Sequence, residues 1–231
     1  MCSSDLVNAS FYWEKIIQMF ISNQAKFITF EGIDGCGKSS QIKRLLRRLN
    51  DVPIQTILVR EPGGTHISEK IREILLDKRI HDMSGRTEAL LMTASRAQLT
   101  QEMIQPNLKK GSWVLADRYA DSTLAYQGGG RNLDLDWLIQ LNHFATNGLQ
   151  PDLTFVVDVL PEEASRRKTG ENDRIEAEGI VFQNEVRRKY TELIKLFPDR
   201  IVLVDGHLSK EAIHEHIWNE LLRRELLYEE K

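Results

Sequence analysis

Gly32, Gly37, Lys38 and Ser39 stand at the spacing G-x-x-x-x-G-K-[ST], and each residue type answers a demand of phosphate chemistry. Glycines let successive backbone N–H groups curl around a polyphosphate, a lysine there neutralises its outer charge, and a serine hydroxyl can ligate Mg²⁺. The loop formed by Gly32, Ile33, Asp34, Gly35, Cys36, Gly37, Lys38, Ser39 and Ser40 is therefore expected to bind a nucleoside triphosphate. An apolar run of β-formers precedes it, and Ile42, Leu45, Leu46 and Leu49 follow at helical spacing, giving the strand–loop–helix setting this chemistry needs.

Two further clusters carry chemistry. In Arg60-Glu-Pro-Gly-Gly-Thr65, turn formation explains the glycines but not Arg60 and Glu61 beside them. Asp117 ends an apolar run, the usual place for a carboxylate that reaches Mg²⁺ directly or through water. Arg118 would enter the same cleft, where an arginine can bridge donor and acceptor phosphates and stabilise the charge spreading over a transferred group. Met92 and Arg96, four apart on an expected helix, project from one face and could hold opposite sides of a planar base. The thiol of Cys36, near the loop N–H groups and Lys38, is expected to have a lowered pKa and to react with alkylating agents unless ATP protects it.

The elements that must position these groups alternate along the chain. Short apolar runs rich in branched residues predict strands at the 27–30 run and over 54–60, 113–117, 153–158 and 201–204. Between them, apolar residues at three- and four-residue spacing predict helices over 67–76, 86–104, 133–146 and 177–197, with a final helix around 213–221. This alternation predicts an α/β fold: a parallel sheet with helices on both faces and ligands at the carboxyl ends of the strands.

Composition narrows the function classes. The chain has 231 residues, 41% of them hydrophobic, enough for one sizeable core. With 31 basic against 34 acidic residues it offers no nucleic-acid surface, so the basic run 164–176 needs a local explanation. Cys2 and Cys36 cannot make a disulfide framework, and a reducing, cytoplasmic setting fits best. Glu14, Lys15 and Gln18 interrupt the apolar stretch 11–21, so residues 1–25 are read as a helical or partly disordered extension, or a start-site artefact ahead of Met19, and not as a membrane anchor.

Glu31-Gly-Ile-Asp-Gly-Cys-Gly-Lys-Ser, Arg60-Glu-Pro-Gly-Gly-Thr, Asp117-Arg-Tyr, Ala125-Tyr-Gln-Gly-Gly-Gly-Arg, Pro151-Asp-Leu-Thr and Asp173-Arg-Ile-Glu together resemble the thymidylate (dTMP) kinases in their bacterial form, from about Lys26 to the C-terminus. The resemblance implies a P-loop nucleoside monophosphate kinase-like fold with a five-stranded parallel sheet and a mobile lid near 166–176, a homodimer, and Mg²⁺-dependent transfer of the ATP γ-phosphoryl group to dTMP. It makes residues 26–231 one kinase domain. It implies that Asp34 organises the nucleotide near its 3′ hydroxyl, that Lys38 and Arg118 clamp phosphates, and that Ser39 and Asp117 serve the metal. It puts Arg96 and Thr123 at the thymine base, Tyr126 where its ring disfavours a ribose 2′ hydroxyl, and Glu61, Pro62, Ser122 and Gln127 around the same acceptor. Met92 departs from the family's usual phenylalanine, although a methionine can still contact an aromatic ring through its polarizable sulfur. Because the phosphate loop holds no arginine, the resemblance assigns the transition-state charge to the lid, with Arg166, Arg167, Lys168 and Arg174 as candidates. The competing readings are a kinase of another nucleoside monophosphate and a nucleotide-binding module; a GTPase switch lacks its Asn-Lys-x-Asp signature here.

Overall fold

In a computed structural model the described residues are 24–52, 54–168 and 170–227. The extension expected at the N-terminus and Thr169 of the lid segment lie outside them. Five strands, β1 (Phe27–Glu31), β2 (Thr56–Arg60), β3 (Trp113–Asp117), β4 (Leu153–Asp158) and β5 (Ile201–Asp205), form one all-parallel sheet in the order β2-β3-β1-β4-β5. β1, β3 and β4 are buried almost throughout, which is why each reads as an unbroken apolar run. The edge strands expose Leu58 and Leu203.

From β1 the chain first builds one side of the sheet through β2 and β3, then the other through β4 and β5. The strand order therefore reverses at β1, and a crevice opens at the carboxyl ends of its neighbours. Phe30 is in register with both Asp117 and Phe155, and Arg60 with Asp117, so the ends of β2 and β3 meet beside the phosphate loop.

The helices are α1 (Lys38–Leu49), α2 (His66–Leu76), α3 (Gly85–Leu99), α4 (Gln105–Lys109), α5 (Ala120–Thr123), α6 (Leu135–Thr146), α7 (Pro161–Arg167), α8 (Gly179–Leu196) and α9 (Lys210–Arg223). The helix expected over 86–104 is α3 followed by a π-helical turn, Thr100–Ile104, which leads into α4 and brings Pro106 to a first-turn position where its missing N–H costs little. A second π-helical stretch, Leu124–Gly130, winds the segment that contains Tyr126 and Gln127. Its glycines are needed for close packing: a Cβ on Gly130 would collide with the ring of Phe182 in α8.

Two local devices shape the phosphate loop. Gly35 has φ 86°, and a Cβ there would strike the carbonyl of Ala164, so the loop lies directly against α7. Gly37 precedes α1 with no side chain capping that end, leaving first-turn N–H groups for a ligand.

Candidate active site

A cavity of about 180 Å³ opens at the carboxyl ends of β1, β2 and β3. Its walls bring together Asp34, Lys38 and Ser39 of the phosphate loop, Asp117 and Arg118 after β3, and Glu61, Pro62, Met92, Arg96, Ser122, Thr123, Tyr126 and Gln127. Residues far apart in sequence thus form one pocket. Its electrostatic centre is Asp34. Oδ1 of Asp34 accepts from Nη2 of Arg118 at 2.6 Å and from Nζ of Lys38 at 3.4 Å, while Oδ2 accepts from the Tyr126 hydroxyl at 3.2 Å. Desolvation works to raise the Asp34 pKa, but Arg118 and Lys38 outweigh it and hold the carboxyl well below the usual carboxylate range. Burial and Arg118 both disfavour the Lys38 ammonium, yet Asp34, Cys36 and Asp117 leave its pKa raised, so it stays charged at neutral pH.

Arg118 adopts a left-handed backbone, φ 73°, which costs strain in a residue with a Cβ. Its guanidinium donates to the Tyr126 hydroxyl at 2.9 Å and to Ser122 Oγ at 3.2 Å, and it lies 4.9 Å from the centre of the Tyr126 ring. Nearby, Ser39 Oγ donates to Asp117 Oδ2 at 2.7 Å. A hydroxyl and a carboxylate in contact offer the hard oxygen donors that suit Mg²⁺, which usually takes one or two protein ligands and completes its shell with phosphate oxygens and water.

At the other end of the pocket, Arg96 is 1% exposed and every guanidinium nitrogen is engaged. Nε donates to Glu61, Nη1 to Thr123 and Asn142, and Nη2 to the carbonyl of Tyr119. A base contact from Arg96 must therefore share a donor already in use. Burial pushes the Glu61 carboxyl up to about 7, against the pull of Arg96. Met92 is partly buried on the same wall.

The lid cations are all partnered. Arg166 donates to Glu163; Arg167 donates to Glu163 and to the carbonyl of Gly206 just after β5. Lys168 pairs with Glu176 at 2.7 Å and its stem lies against Gly35. With Ile33 and Asp34 it lines a second cavity of about 130 Å³ on the other side of the phosphate loop. Arg174, expected among the residues that act on ATP, does not line either cavity; its Nε donates to the carbonyl of Leu75 and its Nη2 to Glu88. Glu88 is fully buried and also accepts from Gln127 and Arg131, so Arg174 ties the root of the lid segment to α3 and to the π-helical stretch.

Cys36 corrects an expectation. Its thiol is 1% exposed, and burial pushes its pKa up against the pull of Lys38, because the side chain turns into the core while the loop backbone faces the ligand side. At about pH 8 the folded protein is expected to resist iodoacetamide at Cys36 while a denatured sample is labelled fully, as read by peptide mass spectrometry. Fast labelling of the folded protein would contradict the burial.

Arg72, Leu76, Asp173 and Ile175 also line the pocket; Asp173 and Ile175 belong to the quoted motif Asp173-Arg-Ile-Glu, whereas the context of Arg72 and Leu76 gives no sign of it. Arg72 sits within the amphipathic pattern of α2 and donates to the carbonyl of Pro62 at 2.8 Å. Asp173 accepts from the N–H groups of Ile175 and Glu176, and burial raises its pKa.

Comparison with known proteins agrees with this geometry. The family model described as thymidylate kinase matches residues 30–217. Among curated proteins, the thymidylate kinase of Caldanaerobacter subterraneus subsp. tengcongensis is 46% identical over 195 residues, covering 84% of this chain and 93% of the relative. That of Trichormus variabilis is 47% identical over 196 residues, covering 83% and 93%. That of Thermosipho africanus is 46% identical over 192 residues, covering 83% and 94%. A match of this extent, on a chain whose phosphate loop and acceptor motifs share one pocket, places the protein: the chain belongs to the thymidylate kinase family.

Proposed function

We propose that the chain transfers the γ-phosphoryl group of ATP to dTMP, giving dTDP and ADP, with both phosphates aligned at the phosphate-loop end of the larger cavity. The observation that carries this reading is the position of the Asp34 carboxylate, whose Oδ1 is shared by Lys38 and Arg118. An anionic oxygen held between these two cations marks where phosphate oxygens would be stabilised.

The reaction needs no covalent intermediate and no strong base, since the dTMP phosphate is already ionised at neutral pH. Its oxygen forms a bond to Pγ as the bond from Pγ to the β-phosphate oxygen breaks, and the electron pair leaves with ADP. Alignment and charge neutralisation then dominate the rate. Lys38 and Arg118 hold the two phosphates, and Tyr126 and Ser122 keep the Arg118 guanidinium in place. Arg72, half-buried on the wall, adds positive charge on the acceptor side. Ser39 and Asp117 would hold Mg²⁺, which neutralises charge on the ATP phosphates when bound. Thr123, Gln127, Met92 and the Arg96–Glu61 pair form the base end of the pocket. Of the lid cations, Lys168 is assigned to the donor side because its stem lies against Gly35, and Arg174 is assigned to anchoring the lid. A coupled ADP-release assay tests the reading: ADP released only when ATP, dTMP and Mg²⁺ are present supports it, and ATP binding without release opposes it.

The same reading makes the protein a homodimer. α2 packs on α3 and α3 on α6, and these adjacent helices expose Ile67, Ile74, Leu90, Trp137 and Phe144, the last 87% exposed. Light scattering should return a dimer; the monomer mass of 26.7 kDa at micromolar concentration would refute it. Among the described residues no helix is long and apolar enough to cross a membrane, and the free buried Cys36 suits a reducing cytoplasm.

A further inference from the structure

Glu31 closes β1, immediately before the phosphate loop, and is 0% exposed. It does not line the cavity, yet a fully buried carboxylate is costly unless its oxygens are satisfied. They are: Oε1 accepts from the N–H groups of Tyr119 at 2.7 Å and Ser122 at 3.3 Å, and Oε2 accepts from the hydroxyls of Ser122 at 2.5 Å and Tyr190 at 2.8 Å.

Each donor bears on Arg118. Tyr119 follows it directly, so the bond to the Tyr119 N–H pins the far side of the left-handed turn. Ser122 Oγ and Tyr190 OH both accept from Arg118 Nη1, at 3.2 and 3.5 Å. One carboxylate therefore fixes both the strained backbone of Arg118 and the two hydroxyls on which its guanidinium rests. The neighbouring charges fit the arrangement. Burial, and after it the Asp121 carboxylate, raise the Glu31 pKa, against which Arg118 and the hydrogen bonds from Ser122 and Tyr119 favour the ionised form; Asp121 is itself paired through both oxygens with Arg200 at 2.7 and 2.8 Å.

We infer that Glu31 is a positioning residue for phosphoryl transfer, acting through Ser122, Tyr190 and the turn after β3 to hold Arg118 where it meets the transferring phosphates. This rests on the reading of Arg118 given above. A carboxylate that merely filled the core would matter equally whether or not Arg118 were present, and that difference can be measured.

The experiment is a double-mutant cycle on steady-state dTDP formation, with Glu31→Gln made in the wild-type and Arg118→Ala backgrounds. In the wild-type background Glu31→Gln should lower kcat on the order of a hundredfold, as expected for a misplaced catalytic group, with the KM for ATP changed by less than about twofold. In the Arg118→Ala background the same substitution should lower kcat by less than about twofold. Equal losses in the two backgrounds would overturn the proposal. Near-wild-type turnover of Arg118→Ala alone would instead sink the reading of Arg118, so the two failures are distinguishable. Should Glu31→Gln not fold, Ser122→Ala combined with Tyr190→Phe runs the same cycle; the pair should cost about tenfold in kcat with Arg118 present, and no loss would overturn the role of Glu31.

Discussion

Replacing Arg118 by alanine is expected to lower the turnover number for dTDP formation about a thousandfold while leaving the affinity for ATP close to wild type. The side chain is confined by Asp34, Tyr126, Ser122 and Tyr190, so its charge is already in place before substrate arrives. Preorganised charge of this kind lowers the barrier because little reorganisation remains at the moment of transfer. ATP affinity should survive because the loop N–H groups and Lys38 belong to a separate element, α1 and the turn before it. Arg118→Lys should recover little, since an ammonium cannot reproduce the planar fork whose Nη2 engages Asp34 and Tyr126 while its Nη1 engages Ser122 and Tyr190. Steady-state kinetics and calorimetric ATP titration would check both halves; a loss in turnover below about tenfold would contradict the role.

Asp34→Asn is expected to cost about a hundredfold in turnover or nucleotide affinity without unfolding the protein. The amide keeps the shape but removes the charge that sits between Lys38 and Arg118, leaving two cations to repel each other in the free enzyme. The pH dependence follows from the direction of the shift. Because the folded-state pKa lies below the ordinary 3.8, ionised Asp34 contributes stability that is fully present above the ordinary value and is lost as pH falls through the folded one. The melting temperature of Asp34→Asn should therefore trail wild type at neutral pH, with the gap closing only in strong acid. Unchanged kinetics in Asp34→Asn would remove Asp34 from the site.

Much of the fold could be read from the chain because central parallel strands are covered on both faces. β3 and β4 begin and end where their apolar runs do, and β2 and β5 differ by two residues at one start and one residue at one end. The helix expected from 133 starts at Leu135 because the side chain of Asp134 caps it, accepting from the N–H of Trp137. The segment after β3 was harder. Gly129 and Gly130 let a π-helical stretch approach α8, a constraint imposed by residues more than fifty positions away. α7 carries local signs, Pro161 at its start and Arg166 and Arg167 at its end.

The candidate site divides in the same way. Residues in contiguous motifs, such as Lys38, Arg118 and Tyr126, were nameable because the motif fixes their local geometry. Arg72 was not, since it lies within an ordinary amphipathic helix, and Glu31 heads the phosphate-loop motif with no sign there of the groups it binds. Cys36 marks the opposite case: its residue type suggests reactivity near phosphates, but tertiary packing turns the thiol into the core, while Arg174 rests paired with Glu88.

The most direct test is chemical: purified protein is incubated with ATP and Mg²⁺ and, separately, dTMP, dUMP, dCMP or UMP, and the nucleoside diphosphate formed is measured, with one dTMP reaction lacking Mg²⁺. The account predicts Mg²⁺-dependent dTDP as the preferred product. Faster phosphorylation of another monophosphate, or no transfer to any of them, would contradict it.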